Sequence, residues 1–296
     1  MVQHSPAHRP TPRLRSVSVP GQRGVVRHDP DATLRSDCRG LVLDIETGPD
    51  AQMLEVCGRS ARDAGGRVWL HGLRAFALLR FSGGVDGNLV LTALDSALVA
   101  PAARDDRPRR SMWQHASGGE GWDGFCTCTT ALERIDEALA DLGEQGQLIT
   151  FNGRRHDVAF LRLQRRRLEL FGPVALDHFA GREARQHIDM MEALSADGLR
   201  WPSLVDACAA LAIPHAPHAD PASAVPAPIR KCESDVLATF LLYVHEAAAA
   251  AGDARVLSKG WEAVARWCAR APLHAHRVVF AEAAVLRAAG RGERFP

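Results

Sequence analysis

A mixed α/β sheet is the fold class this chain predicts, on three observations. Short apolar runs of strand type come first, helical periodicity follows, and the two interleave instead of forming separate blocks. The 46% hydrophobic and 24% charged fractions are those of a globular protein with a sizeable core.

Each element has its own signal. Leu41-Val42-Leu43-Asp44-Ile45-Glu46 is an apolar run ended by Gly48-Pro49, which reads as a buried strand. Val68 to Phe81 is apolar enough for one long strand or a tight pair. Asn88 to Thr92 follows a Gly-rich turn and completes a hairpin with it, making an antiparallel meander. Residues 100 to 124 read as a loop carrying Arg104, Arg107, Arg109, Arg110, Trp113 and Trp122, either anchored by its tryptophans or stacking on bases. Thr129 or Thr130 caps a helix to about Leu142, with Leu132, Ile135, Leu139 and Leu142 on its apolar side. Gln147 to Phe151 is another buried strand, broken at Asn152-Gly153. A helix starts near Asp157, and Ile188 to Met191 is a short strand. Ser203 caps a helix through about Ala212, and the Pro/Ala-rich residues 214 to 228 exclude one. Ile229 to Ala250 is a long helix, and two more run to about Ala289.

This order divides the chain into a basic, disordered arm at 1–38, one α/β domain at 39–250 and a C-terminal helical extension at 251–296. A net charge of +1 makes no overall electrostatic case for nucleic acid, so any such case rests on local patches. The seven cysteines are odd in number and lack a C-x-x-C pair, the pattern of reduced thiols in a cytoplasmic protein. No apolar run approaches the roughly 18 residues that span a bilayer, so no membrane partner is expected. There is no Gly-rich phosphate loop, no dinucleotide fingerprint and no nucleophile elbow. His215-x-x-His218 lies in the Pro/Ala loop without cysteine partners, which argues against a zinc site.

Asp44 and Glu46 are two residues apart on a strand, so their carboxylates share a face. Crowded like charges repel, and one takes up a proton unless a cation lies between them. A hard divalent ion such as Mg²⁺ or Mn²⁺ resolves the conflict, as does a strand end in solvent or beside arginines. Three more acids lie at element edges: Asp157, Asp189 and Asp235. Singly, Asp157 is explained as a helix N-terminal acid and Asp235 as one polar residue on a helix face.

Taken in order, LVLDIETGPD, LITFNGRRHDVAFLR, HIDMMEALS and KCESDVLATFLLYV resemble the motifs of the DEDD superfamily of 3′–5′ exonucleases. More narrowly they are similar to the predicted exonuclease family related to the proofreading domain of B-type DNA polymerases. The resemblance covers roughly residues 40 to 245. It implies a ribonuclease H-like fold, a mixed sheet flanked by helices. It also implies a metal set of Asp44, Glu46, Asp157 and Asp235. These would hold two ions, Mg²⁺ or Mn²⁺, about 3.5–4 Å apart on the scissile phosphate of a single-stranded DNA or RNA 3′ end. Asn152 would bond the terminal nucleotide or hold the strand–helix turn, and Arg154, Arg155 and Arg162 would contact phosphates. Asp189 matches a family position outside the metal set.

The sequence departs from the family where water is activated. A tyrosine four residues before the last acid, or a histidine five before it, is replaced by Lys231 and Arg230. Tyr243 lies eight residues after Asp235, out of register. Lys231 would orient a hydroxide or stabilise charge on the phosphate. His156 stands where the family has an aromatic and is either a packing residue or a proton acceptor. Two function classes follow: a slow metal-dependent exonuclease, and a degenerate nuclease fold that binds nucleic acid or a protein partner without cleaving.

Overall fold

The computed structural model describes residues 38–83, 88–100, 124–181, 184–195, 201–215, 225–270 and 275–290. The expected arm (apart from Cys38), most of the Arg/Trp loop and most of the Pro/Ala loop lie outside them. In chain order the elements are β1 (Arg39–Pro49), α1 (Ala51–Val56), β2 (His71–Ser82), β3 (Val90–Val99), β4 (Phe125–Cys126), α2 (Cys128–Ala140), β5 (Gln147–Thr150), α3 (Asp157–Arg167), α4 (Leu176–Phe179), β6 (His187–Asp189), α5 (Met190–Leu194), α6 (Leu204–Ala210), α7 (Ala227–Ala251), α8 (Ala254–Ala269) and α9 (Ala275–Gly290).

The strands form one sheet in the order β4-β3-β2-β1-β5-β6. β1 to β3 make the antiparallel meander, while β5 and β6 add in parallel on the other side of β1. This is the ribonuclease H-like mixed sheet that the motifs imply. Alternation along β1 sends Leu41, Leu43 and Ile45 into one core with α2 and α3, and Val42 into another against α7. Asp44 and Glu46 share the Val42 parity, so they face α7.

Local differences from the sequence reading have simple causes. Val68–Leu70 is a turn of 3-10 helix before a single strand, β2. Thr127, not Thr129 or Thr130, caps α2, its hydroxyl accepting from the Thr130 N–H. Asp189 ends β6, so Met190 and Met191 belong to a helix instead of a strand. Residues 227 and 228 also belong to α7: Pro228 sits in its first turn, where a missing N–H costs nothing.

The last two helices are packed into the body. Val256, Trp261, Val264 and Phe280 are buried in the same core cluster as Phe240 and Leu241 of α7. Gly260 of α8 meets α7 so closely that a Cβ would run into the Val244 side chain. No helix among the described residues is long and apolar enough to cross a membrane.

Candidate active site

β1 outruns its parallel neighbour. Its pairing with β5 covers only Gly40 to Val42, after which β5 turns away at Asn152. From Leu43 onward the β5 side of β1 therefore opens into a notch. Asp44 and Glu46 enter it from β1, Asp157 from the first turn of α3, and Lys231, Cys232 and Asp235 from the early turns of α7. The carboxyl ends of parallel strands in an open α/β sheet are where ligands are commonly bound.

The turn that delivers Asp157 is tightly specified. Asn152 adopts the left-handed conformation (φ 64°), and its carbonyl accepts from the His156 N–H at 2.9 Å. At Gly153 a Cβ would collide with the Thr150 side chain. Asp189 is fully buried, and its carboxylate accepts from the backbone N–H of Asn152 (2.8 Å), Arg154 (2.9 Å) and Met191 (3.1 Å). It thereby clamps the turn from the neighbouring strand, a role the sequence left open.

The four acids divide into two pairs by their partners. Lys231 Nζ bonds Glu46 Oε1 and lies 3.1 Å from Asp235 Oδ2. The other oxygen of Asp235 is 3.1 Å from His215 Nε2. Asp157 Oδ1 is 2.8 Å from His156 Nδ1. Asp44 Oδ2 and Asp157 Oδ2 are buried and have no hydrogen-bond partner among the described residues. The Cys232 thiol donates toward Asp44, and the ligand atoms of Asp44, Glu46 and Cys232 all lie within 4.8 Å of one another.

The electrostatics follow from this crowding. Burial pushes the Asp44 carboxyl well above the usual carboxylate range, and the charges of Asp235 and Asp157 add to the rise while Lys231 opposes it. Glu46 and Asp157 are raised by burial too, against the pull of Lys231 on one and of His156 on the other. Burial works against the charge of Lys231, but Asp235, Asp44 and Glu46 outweigh it and hold the ammonium protonated above its ordinary range. Lys231 is therefore a cation in this site and not a general base. The bond to Asp157 raises His156. Burial raises the Cys232 thiol, which keeps it neutral.

The expected nucleotide-binding arginines go to different places. Arg154 spends its guanidinium on the carbonyls of Gly181, Ala184 and His187 and lies 3.3 Å from Glu192, so it braces the turn. Arg162 points to Asp177 of α4 at 3.2 Å. Arg155 is exposed and stacks over the ring of Trp201 at 4.0 Å, beside His156. Arg230, in the place of the family's histidine, bonds the Val225 carbonyl and is buried. The sequence reading missed His215, Cys232 and Trp201 as neighbours of these residues. The only available signal was that His215 is a polar residue shortly before the α7 acids.

No family model and no curated protein matches the chain. Among solved structures it is similar to E. coli exonuclease I in complex with a dT13 oligonucleotide, at 16% identity and TM-score 0.40 over 71% of this chain and 41% of that one. A product-bound structure of exonuclease I gives 15% and 0.42 over 78% and 48%. The zinc-bound form of an E. coli exonuclease I complex with single-stranded DNA gives 16% and 0.40 over 79% and 45%. The chain spans less than half the length of each.

Proposed function

We propose that the chain is a metal-dependent 3′–5′ exonuclease of the DEDD type, acting on single-stranded nucleic-acid ends. One observation carries this reading. Asp44 Oδ2 and Asp157 Oδ2, from two different elements, are buried without hydrogen-bond partners among the described residues, in a cluster of four acids. Orphaned buried carboxylate oxygens are costly, and a hard divalent ion is the partner that suits them. Mg²⁺ and Mn²⁺ both fit an oxygen donor set. When bound, such an ion would lower the pKa of an attacking water and stabilise the leaving 3′ oxygen.

The protein's own groups have separable tasks in this reading. Asp44 and Asp157 would hold the ion, and the Asp189 clamp fixes where Asp157 stands. Lys231, kept cationic, faces the phosphate and stabilises its developing negative charge. His215, 3.1 Å from Asp235, would serve as proton acceptor in place of the family's histidine. Arg155 and Trp201 offer a stacked, exposed platform for a base or phosphate of the terminal nucleotides.

A second reading rests on Lys231. Because its ammonium already bridges Glu46 and Asp235, the site is partly neutralised without metal, as in a nuclease fold kept for binding alone. One assay separates the two. Purified protein with Mn²⁺ is expected to shorten a 5′-labelled single strand from its 3′ end, and Asp44→Ala to reduce the rate by at least about a hundredfold. Retained strand binding with no trimming under Mg²⁺ or Mn²⁺ would leave the binding module standing. Matched DNA and RNA strands in the same assay assign the substrate.

A further inference from the structure

We propose that Lys231 is a built-in replacement for one of the two metal ions, so that the site binds a single divalent ion between Asp44 and Asp157. This rests on the reading above only in taking the cluster to be a metal site.

The partner pattern of the acids carries the inference. On the α7 side the acids already face cationic or imidazole groups: Asp235 faces Lys231 with one oxygen and His215 with the other, and Glu46 bonds Lys231 through Oε1. On the opposite side, Asp44 Oδ2 and Asp157 Oδ2 are orphaned, and the Asp157 side chain is only 5% exposed. A four-acid site emptied of two equivalent ions would leave orphaned oxygens in both halves. Among the described residues only one half has buried orphaned oxygens, and the other is bridged by an ammonium reaching across from the helix. Lys231 is the i−4 neighbour of Asp235, so its place is set by the α7 register and not by a chance surface encounter. A second divalent ion beside Glu46 and Asp235 would stand within ion-pair distance of a fixed positive charge, and attraction to the same oxygens would turn into repulsion between cations.

The experiment is a calorimetric titration of the full-length, metal-stripped protein with MnCl₂, without nucleic acid. The wild type is expected to bind one ion per chain. Lys231→Met, which keeps the length of the side chain and removes its charge, is expected to bind two, and Lys231→Arg one. Asp157→Asn is expected to lose the single site. Two ions on the wild type, none on it, or one ion on a natively folded Lys231→Met would overturn the proposal. If Lys231→Met does not fold without metal, rescue of its thermal melt by Mn²⁺ with two ions bound supports the proposal, and failure of rescue overturns it. The exonuclease reading is judged separately. One bound ion without strand trimming sinks that reading and leaves this proposal intact, whereas two bound ions with trimming does the reverse.

Discussion

At the scale of single residues, Asp189 shows how far the site depends on a group that is not in it. Its carboxylate is the common acceptor for three backbone N–H groups, two of which belong to the turn that aims Asp157. Asp189→Ala would leave those donors buried and unmatched, at about 1–3 kcal/mol for each one that water does not reach. We expect a loss of about 3 kcal/mol or more in urea unfolding, with Asp189→Asn falling between it and the wild type. Metal affinity should drop in step, because Asp157 is no longer held. The sequence singled out Asp44, Glu46, Asp157 and Asp235 as candidates through the order of their segments and the family resemblance, since each acid alone has an ordinary explanation at a strand end, a strand–helix turn or a helix start. It left the use of Asp189 open, and it could not show that Arg154 turns its guanidinium to the carbonyls of Gly181, Ala184 and His187. Both depend on how a folded turn meets chain distant in sequence, and spacing carries no record of that.

At the scale of the element, α7 is a two-sided helix whose register separates two charge systems. Lys231 and Asp235 face the notch, whereas Glu233 faces away, because two residues advance the helix by more than half a turn. Glu233 is fully buried and binds Ser96 Oγ at 2.7 Å, His276 Nε2 at 2.6 Å and the Arg277 guanidinium at 2.7 and 2.9 Å. Burial works to raise its carboxyl, but His276, Arg277 and Ser96 outweigh burial and hold it at about 2. A carboxyl depressed in the folded state stabilises the fold above its ordinary value of 4.5, and that contribution is lost as pH falls toward 2. The contribution is about 3 kcal/mol at neutral pH. Glu233→Ala should therefore melt well below the wild type at pH 7, and the gap should narrow as pH falls below 4.5. A gap that is flat with pH would mean that Glu233 acts by packing alone. Local sequence chemistry does not distinguish Glu233 from Asp235; the resemblance alone selected Asp235. In the structure the helix register and the partners on α9 tell the two apart.

At the scale of the whole molecule, the question is whether the last two helices are an extension or part of the core. The sequence places a boundary at residue 250, where the long helix read from Ile229 ends, shortly after the family resemblance does. Packing argues otherwise. Trp261 and Phe280 are buried in the cluster that contains Phe240 and Leu241, and burying each large side chain is worth about 1.5–3 kcal/mol. Removing α8 and α9 would uncover that side of α7. It would also take away His276 and Arg277, leaving Glu233 as a buried charge with only Ser96 beside it, and breaking a buried pair in this way costs about 3–5 kcal/mol. Together these losses are comparable with the 5–15 kcal/mol or so by which a domain is ordinarily stable. A chain ending at Gly252 should therefore show no cooperative thermal transition by circular dichroism, although it keeps every acid of the candidate site. A cooperative melt close to that of the full chain would restore the boundary at residue 250 and make the helices an appendage. If the melt is lost, the notch at Asp44 needs the C-terminal helices as its foundation, because they hold α7, and with it Lys231 and Asp235, against β1.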